Sequence, residues 1–279
     1  MSETGGDVFC VAASSQVNEG HRGQVIVSGS YGGDYNAFHA GKWGLRGVIL
    51  NDAGIGKDDA GIHGIGYLEA IGLAAATADV NTCHIADGEH MLAHGRISYV
   101  NRFAAGLGIK PGDTVKAAAE RMRTAPVASG ELPPIAGGKR YLISADPGRP
   151  KVICLDAAPM LQPDDAGAIA ITGSHAALFR GKPDNVISVP LAGVFFSDGG
   201  VGMDKAGVSR LPDLDAKGIP GGAAAAMSAS IGNSRSIYND GVLSHVNHTA
   251  EGLGVHAGMR VKDAVKILGD AAARQGVAR

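Results

Sequence analysis

Apolar residues along the chain fall in short β-branched runs, set apart by glycine-rich turns and by stretches with helical spacing. In the first 122 residues such runs occur near 7–12, 24–28, 46–51 and 96–100, each of strand length. Helical spacing fits 59–71, 101–107 and 112–122, and "KPGDTVKAAAERM" places Asp113 or Thr114 as a cap before its apolar face. Alternation of this kind predicts an α/β fold with a mainly parallel sheet.

The pattern then recurs. Residues 47–122 align without a gap on 193–268, always 146 positions on, with about 25 identities in 76 positions. Upstream the offset is 144, pairing "VFCVAASS" with "VICLDAAP" and "QVIVSGSYGG" with "AIAITGSHAA". The expected architecture is two homologous α/β repeats, an internal duplication related by a pseudo-twofold axis. The first repeat spans 1–122, a Pro/Gly-rich linker of irregular structure 123–150, and the second repeat 151–279.

Composition narrows the function classes. With 43 glycines in 279 residues, the chain has about twice the usual share of ~7%, which points to many tight turns. A net charge of -2 with scattered Lys and Arg gives no footprint for nucleic acid. The absence of a long apolar run and of a secretory start leads us to expect a soluble, cytoplasmic protein without a membrane partner. Cys10, Cys83 and Cys154 are too few for a disulfide framework, and Cys10 and Cys154 fill matching apolar strands.

Candidate chemistry gathers where the strands end. "NDAGIGKDDAG" (51–61) resembles a phosphate loop, but Gly54 stands two residues from Gly56, Lys57 is followed by Asp58, and Gly61 lies five after Gly56. Those spacings fit neither a P-loop nor a dinucleotide fingerprint. The two copies share Gly29 with Gly173, Ser30 with Ser174, Asp52 with Asp198, Gly54 with Gly200, Gly56 with Gly202, Asp58 with Asp204, Gly61 with Gly207, Ser98 with Ser244, and Asn101 with Asn247. Backbone N–H groups at 29–30 and 54–61, and at their twins, would form nests for carboxylate or imide oxygens. Tight turns account for the glycines equally well, and Asp58 and Asp204 can serve as helix caps.

The copies also differ. Lys57 becomes Met203, Asn51 becomes Ser197, and Tyr31 becomes His175, so the first copy supplies a cation and the second a Ser174-His175 pair. Asp52 and Asp198, at strand ends, are candidate bases. Asp52 is expected to stay ionised beside Lys57, and Asp198, facing Met203, to carry the proton. Ser30 or Ser174 is a candidate nucleophile, with simple ligation of substrate as the alternative. The catalytic candidates are therefore Ser30, Asp52, Lys57, Ser174, His175 and Asp198; Gly29, Asn51, Gly54, Gly56, Asp58, Gly173, Gly200, Gly202, Asn101 and Asn247 are candidates for binding. "HIADGEHMLAH" raises His84, Asp87, Glu89, His90 and His94 as metal ligands, but its twin "SIGNSRSIYND" has no histidine, and no metal or cofactor is expected.

The expected function is a cofactor-independent enzyme, a hydrolase of a small polar, carboxylated and anionic metabolite held between the repeats, in a chain that leaves a homo-oligomer open. Alternatives are an isomerase, racemase or lyase with one acid or base from each repeat, and a non-catalytic binding or sensor protein. A cysteine racemase is disfavoured, because Cys83 has Ala229 as its twin.

Overall fold

The computed structural model describes residues 5–135 and 138–277. Its first sheet is built from β1 (Val8–Val11), β2 (Val25–Tyr31), β3 (Gly47–Asn51), β4 (Ala74–Ala78) and β5 (Ile97–Val100), in that spatial order. β1 to β4 run parallel, and β5 is antiparallel to β4. Helices α1 (Asp34–Gly41), α2 (His63–Tyr67), α3 (Gly88–His94), α4 (Arg102–Gly106) and α5 (Val115–Met122) cover the two faces. Strand alternation divides the core. Ile49 points into a cluster with Met91, Ala104, Val115 and Met122, while Val48 and Leu50 point into another with Ala37, Ala40, Ile65 and Leu68.

The second sheet comprises β6 (Arg140–Ser144), β7 (Val152–Leu155), β8 (Ile169–His175), β9 (Gly193–Ser197), β10 (Gly221–Ala224) and β11 (Leu243–Val246), ordered β11-β10-β9-β8-β7-β6. β7 to β10 are parallel, with β11 and β6 antiparallel at the two edges. Helices α6 (Leu211–Ala216), α7 (Ser234–Asp240), α8 (His248–Glu251) and α9 (Val261–Val277) accompany it. The fold is thus mixed α/β with two mainly parallel sheets. No helix of the described residues is long and apolar enough to cross a membrane.

Two expectations about elements change. β6 lies inside the stretch read as an irregular linker, and pairs with β7 while Arg140 holds Asp165 through two 2.9 Å bonds. The helical stretch 59–71 is broken into 3-10 turns around the short α2, because Asp58 and Asp59 take left-handed φ of 58° and 52°. The segment after β8 has a single 3-10 turn, Phe179–Gly181, where the segment after β2 carries α1. Thr114 caps α5, its Oγ1 accepting from Ala117 N at 3.2 Å.

Candidate functional site

The two sheets meet along their strand-end loops, and the contact is made largely by backbone. Lys57 N–H donates to Ala226 O at 2.9 Å, and Met203 N–H donates to Val80 O at 2.9 Å. At the centre Gly54 (φ 74°) crosses Gly200 (φ 78°) so closely that a Cβ on either would stand 2.9 Å from the other's Cα. A side chain does not fit there. Ala53, Val80, Ile85, Ala86, Ala177 and Ile231 fill a small apolar core beside the crossing.

This seam uses the groups that the sequence offered to a ligand. Gly54 N–H donates to Asp52 Oδ1 (2.9 Å), Ile55 N–H to Asp52 O (2.7 Å), and Gly56 N–H to Gly54 O (2.7 Å). Gly200, Val201 and Gly202 repeat the scheme on Asp198 Oδ1, Asp198 O and Gly200 O. With their N–H groups already donating, these loops are closed turns rather than open nests. Gly29 and Gly173 are likewise close approaches: a Cβ would lie 2.3 Å from Asp87 N in the first case and 2.4 Å from Asp156 O in the second.

The acidic and basic candidates are placed differently from the expectation. Asp52 Oδ1 also accepts from Val80 N at 3.0 Å, and Asp198 accepts from Ala226 N (2.9 Å) and Ser244 Oγ (2.8 Å). Lys57 is not beside Asp52; its Nζ pairs with Asp240 Oδ2 at 2.8 Å on the surface. Without that cation, burial raises the Asp52 carboxyl above its ordinary range, although Gly54, Val80 and Ser98 pull it back by hydrogen bonding. Asp58 accepts from Ser230 Oγ at 2.6 Å, and Asp204 meets His84 Nε2 at 2.8 Å, so each aspartate reaches across the seam.

The asparagines tie elements together. Asn51 Oδ1 accepts from Ala53 N (2.9 Å). Asn101 caps α4 through Ala104 N (3.0 Å) while donating to Leu73 O (2.8 Å), and Asn247 caps α8 through Ala250 N (3.0 Å) while donating to Ile219 O (2.9 Å). Asp87 caps α3, whose His90 stacks on His84 at 3.7 Å. Burial, then His84 and His94, push His90 below its ordinary range. Among the described residues no group of three or more His, Cys, Asp or Glu is arranged to hold a metal.

Ser30, Ser174 and His175 do converge. They line one cavity of about 320 Å³ between the ends of β2 and β8, together with Tyr31. Ser30 Oγ accepts from Ser14 N at 2.9 Å and Ser174 Oγ from Ala158 N at 2.9 Å, so each hydroxyl keeps its own proton to donate. Ala177 N–H donates to His175 Nδ1 at 3.2 Å, which assigns the ring proton to Nε2. Burial lowers His175 to about 4, with the Arg210 guanidinium adding to the effect. A neutral imidazole with its free lone pair occupied is a donor, so Ser174 and His175 do not form a nucleophile-base pair.

Tyr31 stands at the cavity's far wall, over Gly232, where a Cβ would come 2.5 Å from its hydroxyl. Burial foremost, then Asp156, Asp34 and Tyr35, raise its pKa and keep it protonated. Asp156, which lines the same cavity, is held by Ser234 Oγ (2.8 Å) and Lys139 N (3.0 Å). Tyr35, Asn36 and His39 of α1, Asp156 and Phe179 escaped sequence reasoning. Only Asp156 carried a signal, as the acid directly after the strand "VICL", where the aligned stretch has Ala12. Comparison of the chain with protein-family models, curated proteins and solved structures returns no match.

Proposed function

We propose that the protein is a cofactor-independent hydrolase that takes a small carbonyl compound into the cavity between its two sheets. The carrying observation is that Ser30 and Ser174, from the ends of β2 and β8, line one cavity. Two serine hydroxyls, the Tyr31 hydroxyl and His175 Nε2–H give this space neutral donors at several points. Donors aimed at a carbonyl oxygen stabilise the charge that develops there during attack. Asp156 is the carboxylate in the wall that can take a proton from the attacking water.

The wall carries no Lys or Arg among the described residues. A carboxylated substrate would meet Asp156 without a counter-charge. An uncharged amide or imide instead offers oxygens to the donors and an N–H to Asp156, and we take it as the substrate class. Asp52 and Asp198 lie outside this cavity, which leaves an isomerase or lyase without its matched acid and base.

The same reading treats the chain as two copies, 1–122 and 151–279, joined through 123–150 and related by a pseudo-twofold axis. It is supported by contacts that recur 146 positions on, as in the bonds from Lys57 and Met203 across the seam. The test is turnover of a panel of small amides and cyclic imides, followed by NMR, in the wild type and in Ser30→Ala and Ser174→Ala. Both variants should stay folded and lose turnover. Wild-type rates in the double variant would overturn the assignment. Binding without turnover would favour the sensor reading, which draws on the fact that both serine oxygens and His175 Nδ1 already accept backbone N–H groups.

A further inference from the structure

A second cavity, of about 360 Å³, adjoins the first and shares Tyr31, Tyr35 and Gly232 with it. Its wall includes Asp34, Asp58, His63, Ser230 and Asn233. Two side-chain pairs stand in it. His63 Nδ1 lies 2.7 Å from Asp34 Oδ1, and Ser230 Oγ donates to Asp58 Oδ2 at 2.6 Å. Asp34 opens α1 and His63 opens α2, so two packed helices bring the first pair together at the open mouth of the cavity, with the His63 side chain 67% exposed.

A carboxylate on Nδ1 sets the orientation of a histidine ring and leaves Nε2 facing away from the pair, free to exchange a proton. The other histidines bordering these cavities lack that partner. Burial holds His175 neutral, and burial together with Lys42 lowers His39. The charged groups facing His63 in its own cavity are Asp34 and Asp58, and no Lys or Arg lines it among the described residues.

We propose that the departing part of the substrate lies in this second cavity and that His63, oriented by Asp34, supplies its proton. The proposal rests on the hydrolase reading of the first cavity. Water oxygen bonds to the carbonyl carbon as its proton passes to Asp156, and the carbonyl pair moves onto the oxygen beneath the serine hydroxyls. When this adduct collapses the C–N bond breaks, its electron pair goes to nitrogen, and the nitrogen takes the proton from His63 Nε2. Asp156 releases its proton to solvent, and His63 regains one from it. Tyr31 and Tyr35 form the wall at which the acyl and amine parts diverge. Ser230 and Asn233 present polar groups to an amine product.

The discriminating experiment varies the leaving group. Acetanilide needs its nitrogen protonated on departure, whereas 4-nitrophenyl acetate releases a stable anion without that help. His63→Gln should lower kcat on acetanilide by roughly 100-fold, a typical general-acid contribution, and leave the ester rate nearly unchanged; Asp34→Asn should show the same split more weakly. In the wild type, ¹⁵N spectra should show a proton on His63 Nδ1 held by Asp34, and Asp34→Asn should move that signal. Equal losses on both substrates, or none, would overturn the role of His63 while leaving the hydrolase reading intact. Wild-type turnover of neither substrate would overturn both.

Discussion

Placing an alanine at position 200 tests whether the two loops truly meet backbone to backbone. Gly200 has φ 78°, and a Cβ there would lie 2.9 Å from both Cα and N of Gly54 and 3.0 Å from Ala53 C. The left-handed conformation costs an L-residue about 1–2 kcal/mol. Forcing a close-packed backbone apart adds typically about 1–3 kcal/mol, so Gly200→Ala should lose about 2–5 kcal/mol in all. Gly218→Ala is the control, because Gly218 has φ 65° but nothing within 4 Å of a Cβ. It should lose only the first, smaller amount. Urea unfolding at constant m reads the difference directly. Gly54→Ala combined with Gly200→Ala should cost less than the two singles together, since one displacement relieves both clashes. If Gly200→Ala and Gly218→Ala unfold at the same urea concentration, the crossing is not as close as described.

Two further outcomes are expected. His175 is lowered to about 4 when folded, against an ordinary value near 6.5, so between these limits the unfolded chain binds the extra proton and stability falls as pH drops. The window corresponds to roughly 3 kcal/mol, and His175→Asn should flatten that part of the stability-pH curve relative to wild type; an unchanged slope would show that the ring is not buried neutral. Arg210→Met strands Asp184, which Arg210 holds at 2.5 and 2.9 Å from inside the fold. Its expected loss is about 3–5 kcal/mol, and adding Asp184→Leu should restore much of it in the same urea assay.

Sequence patterning reached the strands whose stability rests on branched side chains. "VIVSGSY" and "GVILN" are buried strands because Val and Ile suit a pleated surface packed on both faces. β4, "AAATA", and β10, "GGAA", left no such mark, since their residues form strands only where larger neighbours pack over them. A Cβ on Gly222, for example, would meet Leu243 and Val246 at 3.1 and 3.3 Å. β6 was hidden by surrounding Pro and Gly that belong to its flanks.

The cavity was half legible for a related reason. Ser30 and Ser174 follow glycine at strand ends, a local signal. Tyr35, His39 and Phe179 arrive from a helix and a 3-10 turn whose positions depend on tertiary packing. The glycine loops misled because sequence marks where N–H groups converge but not what they bond to. In this fold Asp52, Asp198 and the facing loop are already there.

The bonds from Lys57 N to Ala226 O and from Met203 N to Val80 O have an evolutionary consequence. Any residue except proline supplies the same N–H, so these two bonds place no demand on the side chain at either position. Met203 accordingly leaves 37% of its surface exposed, while Lys57 at the matching place turns its side chain to Asp240 at the rim. A lineage can therefore exchange charge for apolar surface around the rim of the joint without loosening it. Recognition at that rim is free to drift while assembly stays fixed.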